Sequence, residues 1–278
     1  MDPAQSLPEF LALRATDGRS AFEVARDCAR LARDIIRRTA DTAAVTAVKG
    51  RGNVVTETDF AVESAVIAAI EAAFPGHAVL SEETAAETAS AGWLWVVDPL
   101  DGTKNFSRGL PHFAFTIALC SREVPVLGVT THPLLGGEVT AVAGAGCFVD
   151  GHAAVLRECS RLANAVVAMD LGYDAERARS QLDLARQLWP GMQSLRIPGS
   201  AALGFAGLAA GWWDLYCHAD LQPWDLAAGL VIVREAGGVV LDWDGSEARL
   251  RSRGVVAGRP AVVQELLHHA AQGRQQHG

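Results

Sequence analysis

The chain has 278 residues, half of them hydrophobic and 20% charged, with a formal net charge of −8. That length can bury a core without disulfides or structural metals. The acidic balance argues against a protein that wraps nucleic acid, whose phosphates require a basic footprint, but leaves a small anionic substrate open wherever a bound cation inverts the local charge. Cys28, Cys120, Cys147, Cys159 and Cys217 are odd in number and form no C-x-x-C pair, so they read as reduced, buried thiols. Met1-Asp2-Pro3-Ala4-Gln5 lacks the pattern of a signal peptide, and no apolar run crosses a membrane uninterrupted. The expectation is a soluble cytoplasmic protein with no membrane partner.

Residues 1–18 read as irregular. A helix begins at Arg19, with Ala25, Ala29, Ala32 and Ile36 on one face. Lys49 to Asn53 reads as a flexible loop. Thr58-Asp59 marks a helix entry, with Val62, Val66, Ala69 and Ala73 as its apolar stripe and Pro75-Gly76 as its stop. Ala78–Leu80, Trp93–Val97, Phe113–Cys120, Val126–Thr131 and Val139–Val142 read as strands. Beyond residue 155 strands and helices alternate: strand Ala165–Met169, helix Ala175–Leu188, strand Leu195–Ile197, a helix capped by Ser200 and ended by Gly211, strand Trp213–Cys217, and helix Trp224–Ala236. Residues 1–155 thus form an α+β half with an antiparallel sheet. Residues 156–278 form an α/β half, within one compact unit.

Three acidic clusters sit where an apolar run ends or a helix starts: Glu82-Glu83, Asp98 with Asp101, and Asp225. Oxygen ligands without Cys/His pairs suit Mg²⁺ or Mn²⁺ rather than zinc. Pro99 lacks an N–H, so the chain is expected to turn there, letting both aspartates converge and freeing the Leu100 carbonyl. Gly102 permits close backbone approach, and a helix starting at Gly102-Thr103 would offer N–H groups to a phosphate. Taken singly, each acid also has a structural reading: a turn residue for Asp98 or Asp101, a solvated pair for Glu82-Glu83, a helix-start residue for Asp225.

Asp98-Pro99-Leu100-Asp101-Gly102-Thr103-Lys104-Asn105-Phe106 resembles the D-P-[IL]-D-G-T-x-N-F motif of the inositol monophosphatase family. Trp224-Asp225, Gly229 and Glu235-Ala236-Gly237-Gly238 resemble its second signature. Glu82-Glu83 and Val54 to Asp59 match the remaining segments in the expected order. The resemblance implies a layered α-β-α-β-α sandwich, a homodimer, and Mg²⁺-dependent, lithium-sensitive hydrolysis of a small phosphate monoester. It implies that Glu82, Asp98, the Leu100 carbonyl, Asp101 and Asp225 ligate two or three Mg²⁺, with Glu83 supporting the outermost. Asp59 and Thr103 would orient the attacking water, and Gly102 and Thr103 would hold the phosphate.

The recognition shell departs from the family pattern. His218 stands seven residues before Asp225, where inositol-preferring members carry Glu, and Gly172-Tyr173-Asp174 replaces a loop that often carries serine. Ser200-Ala201 still matches a substrate-side turn, and Asp225 would also border the substrate. A histidine titrating near neutrality would favour a doubly anionic substrate as pH falls. Lys104 could meet a second anionic group or be merely solvated. Trp212-Trp213 could floor the pocket or divide between core and surface. The expected substrate is inositol-1-phosphate or a related sugar-alcohol phosphate, with fructose bisphosphate, histidinol phosphate or a 3′-phosphonucleotide as alternatives. Some bacterial relatives also bind the transcription machinery, so a regulatory partner is a further alternative; no direct nucleic-acid contact is expected.

Overall fold

Ser20 opens the first long helix, α1 (Ala21–Thr39), with a reciprocal cap. Its hydroxyl accepts from Glu23 N–H and the Glu23 carboxylate accepts from Ser20 N–H. The computed structural model describes residues 9–40, 45–49, 53–84, 92–134 and 136–275. Ala25, Ala29, Ala32 and Ile36 are buried on α1 as the periodicity predicts. On α2 (Glu57–Ala73) the stripe is Val62, Val66, Ile70 and Ala73, with Ile70 replacing the expected Ala69.

Before α2 two strands flank the expected loop, taking in only its end residues Lys49 and Asn53. β1 (Val45–Lys49) and β2 (Asn53–Thr56) pair antiparallel, Val48 opposite Val54. Residues 50–52 of that expected loop, and residues 1–8 of the expected irregular start, lie outside the described residues; within the rest of that start, residues 9–12 are helical.

The larger sheet runs β3 (Ala78–Ser81), β4 (Trp93–Asp101), β5 (Ala114–Ser121), β6 (Val124–Thr131), β7 (Glu138–Val142), β8 (Gly146–Val149) and β9 (His152–Ala154), in that spatial order. Only β3 and β4 are parallel. The smaller sheet has the order β11-β10-β12-β14-β13. Its strands are β10 (Val166–Asp170), β11 (Ser194–Arg196), β12 (Leu215–His218), β13 (Val239–Asp242) and β14 (Val255–Gly258). The helices of this half are α4 (Ala175–Leu188), α5 (Ala201–Ala209), α6 (Pro223–Glu235) and α7 (Pro260–Gln275), and a single turn, α3 (Thr103–Phe106), follows β4.

The pleat sorts side chains into layers. On β4, Trp95 and Val97 pack with Val24, Ile36, Val62 and Val66 of α1 and α2. Leu94 and Val96 point the other way, joining Phe205 and Ala206 of α5 and Leu230 and Val231 of α6. The same middle core takes Ala168, Tyr216 and Ala257 from the smaller sheet. Val167, Met169, Cys217 and Val256 face outward against Leu184 and Leu188 of α4 and Val262, Val263 and Leu266 of α7. The order is therefore helix, sheet, helix, sheet, helix: a layered α-β-α-β-α sandwich. The five cysteines are free and buried, as expected. No helix among the described residues is long and apolar enough to cross a membrane.

Candidate metal centre and active site

β4 does not turn at Pro99; it continues to Asp101. Asp98 pairs with Thr116 and Asp101 with Ala114, so β4 advances three residues while β5 advances two. This is a β-bulge, which places a residue without an N–H where the ladder is already interrupted. The bulge, rather than the expected turn, re-aims the second carboxylate. Asp98 Oδ1 then accepts from Leu100 N–H at 3.0 Å. Gly102 follows with φ +91, and a Cβ there would lie 2.8 Å from the His112 carbonyl oxygen. Both its conformation and its tight surroundings demand glycine.

The carboxylates of Asp98, Asp101 and Asp225 converge from two sequence-distant elements, each offering a ligand oxygen within 4.8 Å of the others. Each also has an oxygen pinned by its own surroundings. Asp101 Oδ2 accepts from Ser200 Oγ and from Ala202 N–H, both at 2.6 Å. Asp225 is the third residue of α6, and its Oδ2 accepts from Gln222 N–H at 2.7 Å. No lysine, arginine or histidine pairs with these three among the described residues. Burial, then mutual repulsion with Glu82 and one another, pushes Asp98 and Asp225 well above the usual carboxylate range. Burial lifts Asp101 to about 6, held there by the Ser200 and Ala202 hydrogen bonds. A cluster of hard oxygen donors without a compensating cation fits Mg²⁺ or Mn²⁺. Glu82 lines the same cleft just beyond β3. Half-buried Glu83 is anchored there through its backbone N–H, which donates to Glu63 Oε1 at 3.1 Å.

Asp59 is the third residue of α2, and its Oδ2 accepts from both the N–H and the hydroxyl of Thr56. Its Oδ1 lies 3.0 Å from Thr103 Oγ1, which is also 2.8 Å from the Leu100 carbonyl oxygen. One hydroxyl proton serves one of these acceptors at a time. Burial raises the Asp59 pKa against the Thr56 and Thr103 hydrogen bonds.

The cleft encloses about 570 Å³, within the ordinary range for a small-molecule site. Of the six residues expected to contact substrate, Gly102, Ser200, Ala201, His218 and Asp225 line it and Thr103 does not. Lys104 lines it too; it is exposed, as a solvated lysine would be, and its Nζ lies 4.4 Å from the centre of the Tyr173 ring in a cation–π contact. The tryptophan pair does not floor it. Trp213 is buried with Nε1 donating to the Gly204 carbonyl at 2.7 Å, and Trp212 is 51% exposed elsewhere. His218 does not titrate near neutrality: burial holds its pKa down to about 4. Its Nδ1 accepts from Asp220 N–H at 3.0 Å, so the proton of the neutral ring sits on Nε2, a donor at all ordinary pH.

Two acidic residues of the cleft escaped the sequence reading. Asp170 ends β10, is 5% exposed, and is raised by burial to about 7. Asp220 carries Tyr173 N–H and Asp174 N–H on Oδ2 and pairs with Arg253. An acid closing an apolar strand, as at Asp98, was the available signal for Asp170. Asp220 had none.

Fold and site together define a layered α/β protein in which Asp98 and Asp101 of β4 and Asp225 of α6 form an acidic cluster that could hold a cation. Residues 17–276 match the model of the inositol monophosphatase family, and the chain belongs to that family. It is 37% identical over 243 residues to inositol monophosphatase 2 of Solanum lycopersicum, covering 84% of this chain and 92% of the relative. It is 36% identical over 225 residues to Nus factor SuhB of Pasteurella multocida, covering 80% and 84%. The crystal structure of extragenic suppressor protein suhB from Bartonella henselae superposes with a TM-score of 0.85 at 31% identity, over 90% of this chain and 98% of that one.

Proposed function

We propose that the chain is a Mg²⁺-dependent phosphatase that hydrolyses a small phosphate monoester by direct attack of water. The observation that carries this reading is the convergence of Asp98, Asp101 and Asp225 with no compensating side-chain cation among the described residues. Glu82 and the Leu100 carbonyl would complete the ligand set, and Glu83 would support it. Bound Mg²⁺ supplies charge neutralisation, a more acidic water and stabilisation of the leaving alkoxide.

The protein's own groups orient the reaction. When the Thr103 proton is directed to Asp59, the Thr103 oxygen is left to accept from a water. That bond polarises the water and aims its lone pair at phosphorus. Backbone N–H groups at Gly102, Thr103 and Ala201 would hold phosphate oxygens. Lys104 and the Nε2–H of His218 offer the cleft two donors beside its carboxylates. This supports a substrate whose second face carries acceptors: inositol-1-phosphate or another sugar-alcohol phosphate. Of the alternatives, it favours fructose bisphosphate over histidinol phosphate, whose ammonium would meet donors with donors. The test is phosphate release from these monoesters and a 3′-phosphonucleotide, with Mg²⁺ and with EDTA. Release confined to histidinol phosphate would overturn the recognition reading while leaving the hydrolytic one.

The relative named Nus factor SuhB supports a second reading, in which the chain is also a protein partner of the transcription machinery. Binding to purified RNA polymerase by an Asp225→Asn variant without turnover would separate that role from hydrolysis.

A further inference from the structure

Asp170 lies in the smaller sheet, yet its hydrogen bonds lead to a candidate ligand on the larger one. Oδ1 accepts from Gly199 N–H at 2.7 Å, and Oδ2 accepts from the buried Tyr216 hydroxyl at 3.0 Å. No lysine, arginine or histidine pairs with it among the described residues. A carboxylate so enclosed is costly to keep, and a neutral acceptor could serve Tyr216. The distinctive partner is Gly199, which begins a short turn running into α5. The far side of that turn is tied to the motif strand and its helix. Asn105 Nδ2 donates to the Pro198 carbonyl at 2.9 Å. One and three residues on from Gly199, the Ser200 hydroxyl and the Ala202 N–H grip Asp101 Oδ2. The turn is therefore clamped from both sheets, and Asp170 is the clamp on the smaller-sheet side.

We propose that Asp170 is a positioning residue for the metal centre: by fixing Gly199 it holds the Ser200–Ala202 donors against Asp101, and so sets the affinity of the centre for its divalent cation. This rests on the metal-centre reading above. Partners that orient a ligand from outside the ligand set typically change metal affinity about 10–100-fold when removed.

The test is Mn²⁺ binding to the whole protein without substrate, followed by the electron paramagnetic resonance signal of free Mn²⁺. Asp170→Leu fills the site but cannot accept from Gly199, and should weaken Mn²⁺ binding about tenfold or more. Asp170→Asn keeps an acceptor oxygen for Gly199 and should stay within about threefold of wild type on the same scale. Tyr216→Phe removes the other hydrogen bond alone and should leave affinity near wild type. If Asp170→Leu does not fold, Asp170→Ser, too short to reach Gly199, carries the same expectation. Wild-type affinity in the Leu or Ser variant, or equal weakening in Asn and Leu, would overturn the proposal. A wild-type protein that binds no Mn²⁺ would overturn the metal-centre reading, and this one with it.

Discussion

Ser200 donates its hydroxyl to Asp101 Oδ2 at 2.6 Å, joining the start of α5 to the end of β4. The same Ser200 oxygen accepts from Leu203 N–H at 3.2 Å as the helix cap. One side chain thus starts a helix in the middle layer and fixes a candidate ligand on the larger sheet. Asp59 and Asp225 also close capping boxes with one oxygen each; the other oxygen of Asp59 faces Thr103, and Asp225 lines the cleft. Asp59, Asp225 and the Ser200 that grips Asp101 thus stand at helix starts, while Asp98 is placed by the β4 bulge.

Asp225→Asn should abolish turnover without unfolding the protein. The amide oxygen can still accept from Gln222 N–H, and the substitution relieves repulsion with Asp98 and Asp101. The cation-free variant should therefore melt at or above the wild-type temperature. Wild type should gain about 2.7 kcal/mol at Mg²⁺ a hundredfold above its Kd, and the variant should lose most of that gain. Thermal melts with and without Mg²⁺ check both statements.

Thr103→Ala should lower kcat about 10²-fold or more with little change in KM, because the hydroxyl acts on the attacking water in the transition state. Thr103→Ser should recover part of the rate. Steady-state kinetics at saturating Mg²⁺ decide it; a pure KM effect would show that Thr103 only binds substrate.

The pH dependence of stability should reverse on loading with metal. Asp101, lifted to about 6, and Asp170, to about 7, bind protons more tightly folded than unfolded. Their contribution is full below the unfolded value near 3.8 and is lost as pH rises through 6 to 7. His218, held to about 4, acts oppositely: its contribution is present above about 6.5 and is lost as pH falls toward 4. Burial also lowers His77 and His132, while Asp59, Asp98 and Asp225 are raised along with Asp101 and Asp170, so the five raised carboxylates outnumber the three histidines. The cation-free protein should gain stability from pH 8 down to about 5. With Mg²⁺ bound, protons compete with the cation and stability should fall over that range. Melting curves across pH with EDTA or Mg²⁺ check the two slopes.

His218→Glu should shift preference toward vicinal diols, replacing a fixed Nε2–H donor with two acceptor oxygens. Since His218 stays neutral, the wild-type ratio of kcat/KM for inositol-1-phosphate and fructose bisphosphate should show no step near pH 6.5 from this residue. An unchanged ratio in the variant would remove His218 from the recognition shell.

Much of the site was legible because its chemistry is packed into contiguous stretches. Asp98 to Phe106 carries two candidate ligands, the tight glycine and the threonine that meets Asp59. The second signature was legible for a packing reason too: a Cβ on Gly229 would lie 2.3 Å from the Phe205 ring, and Glu235 accepts from Gly144 and Gly146 N–H. The helix-start reading and the ligand reading of Asp225 proved compatible, since a carboxylate has two oxygens. What was not legible depends on long-range pairing. The β1–β2 hairpin flanks a glycine-rich stretch that looks like loop, and among the described residues its strands pair only with each other. Asp170 is a lone acid whose partners, Gly199 and Tyr216, lie 29 and 46 residues away. The effect of burial on His218 required the fold as well.

The most direct measurement is inorganic phosphate release by the purified protein from inositol-1-phosphate and the other small monoesters, with Mg²⁺ binding followed in the same samples. The account requires release that EDTA stops, Mg²⁺ restores, and Asp98→Asn or Asp225→Asn abolishes. A protein that binds Mg²⁺ and releases no phosphate from any of them, or one that turns over equally well in EDTA, would contradict it.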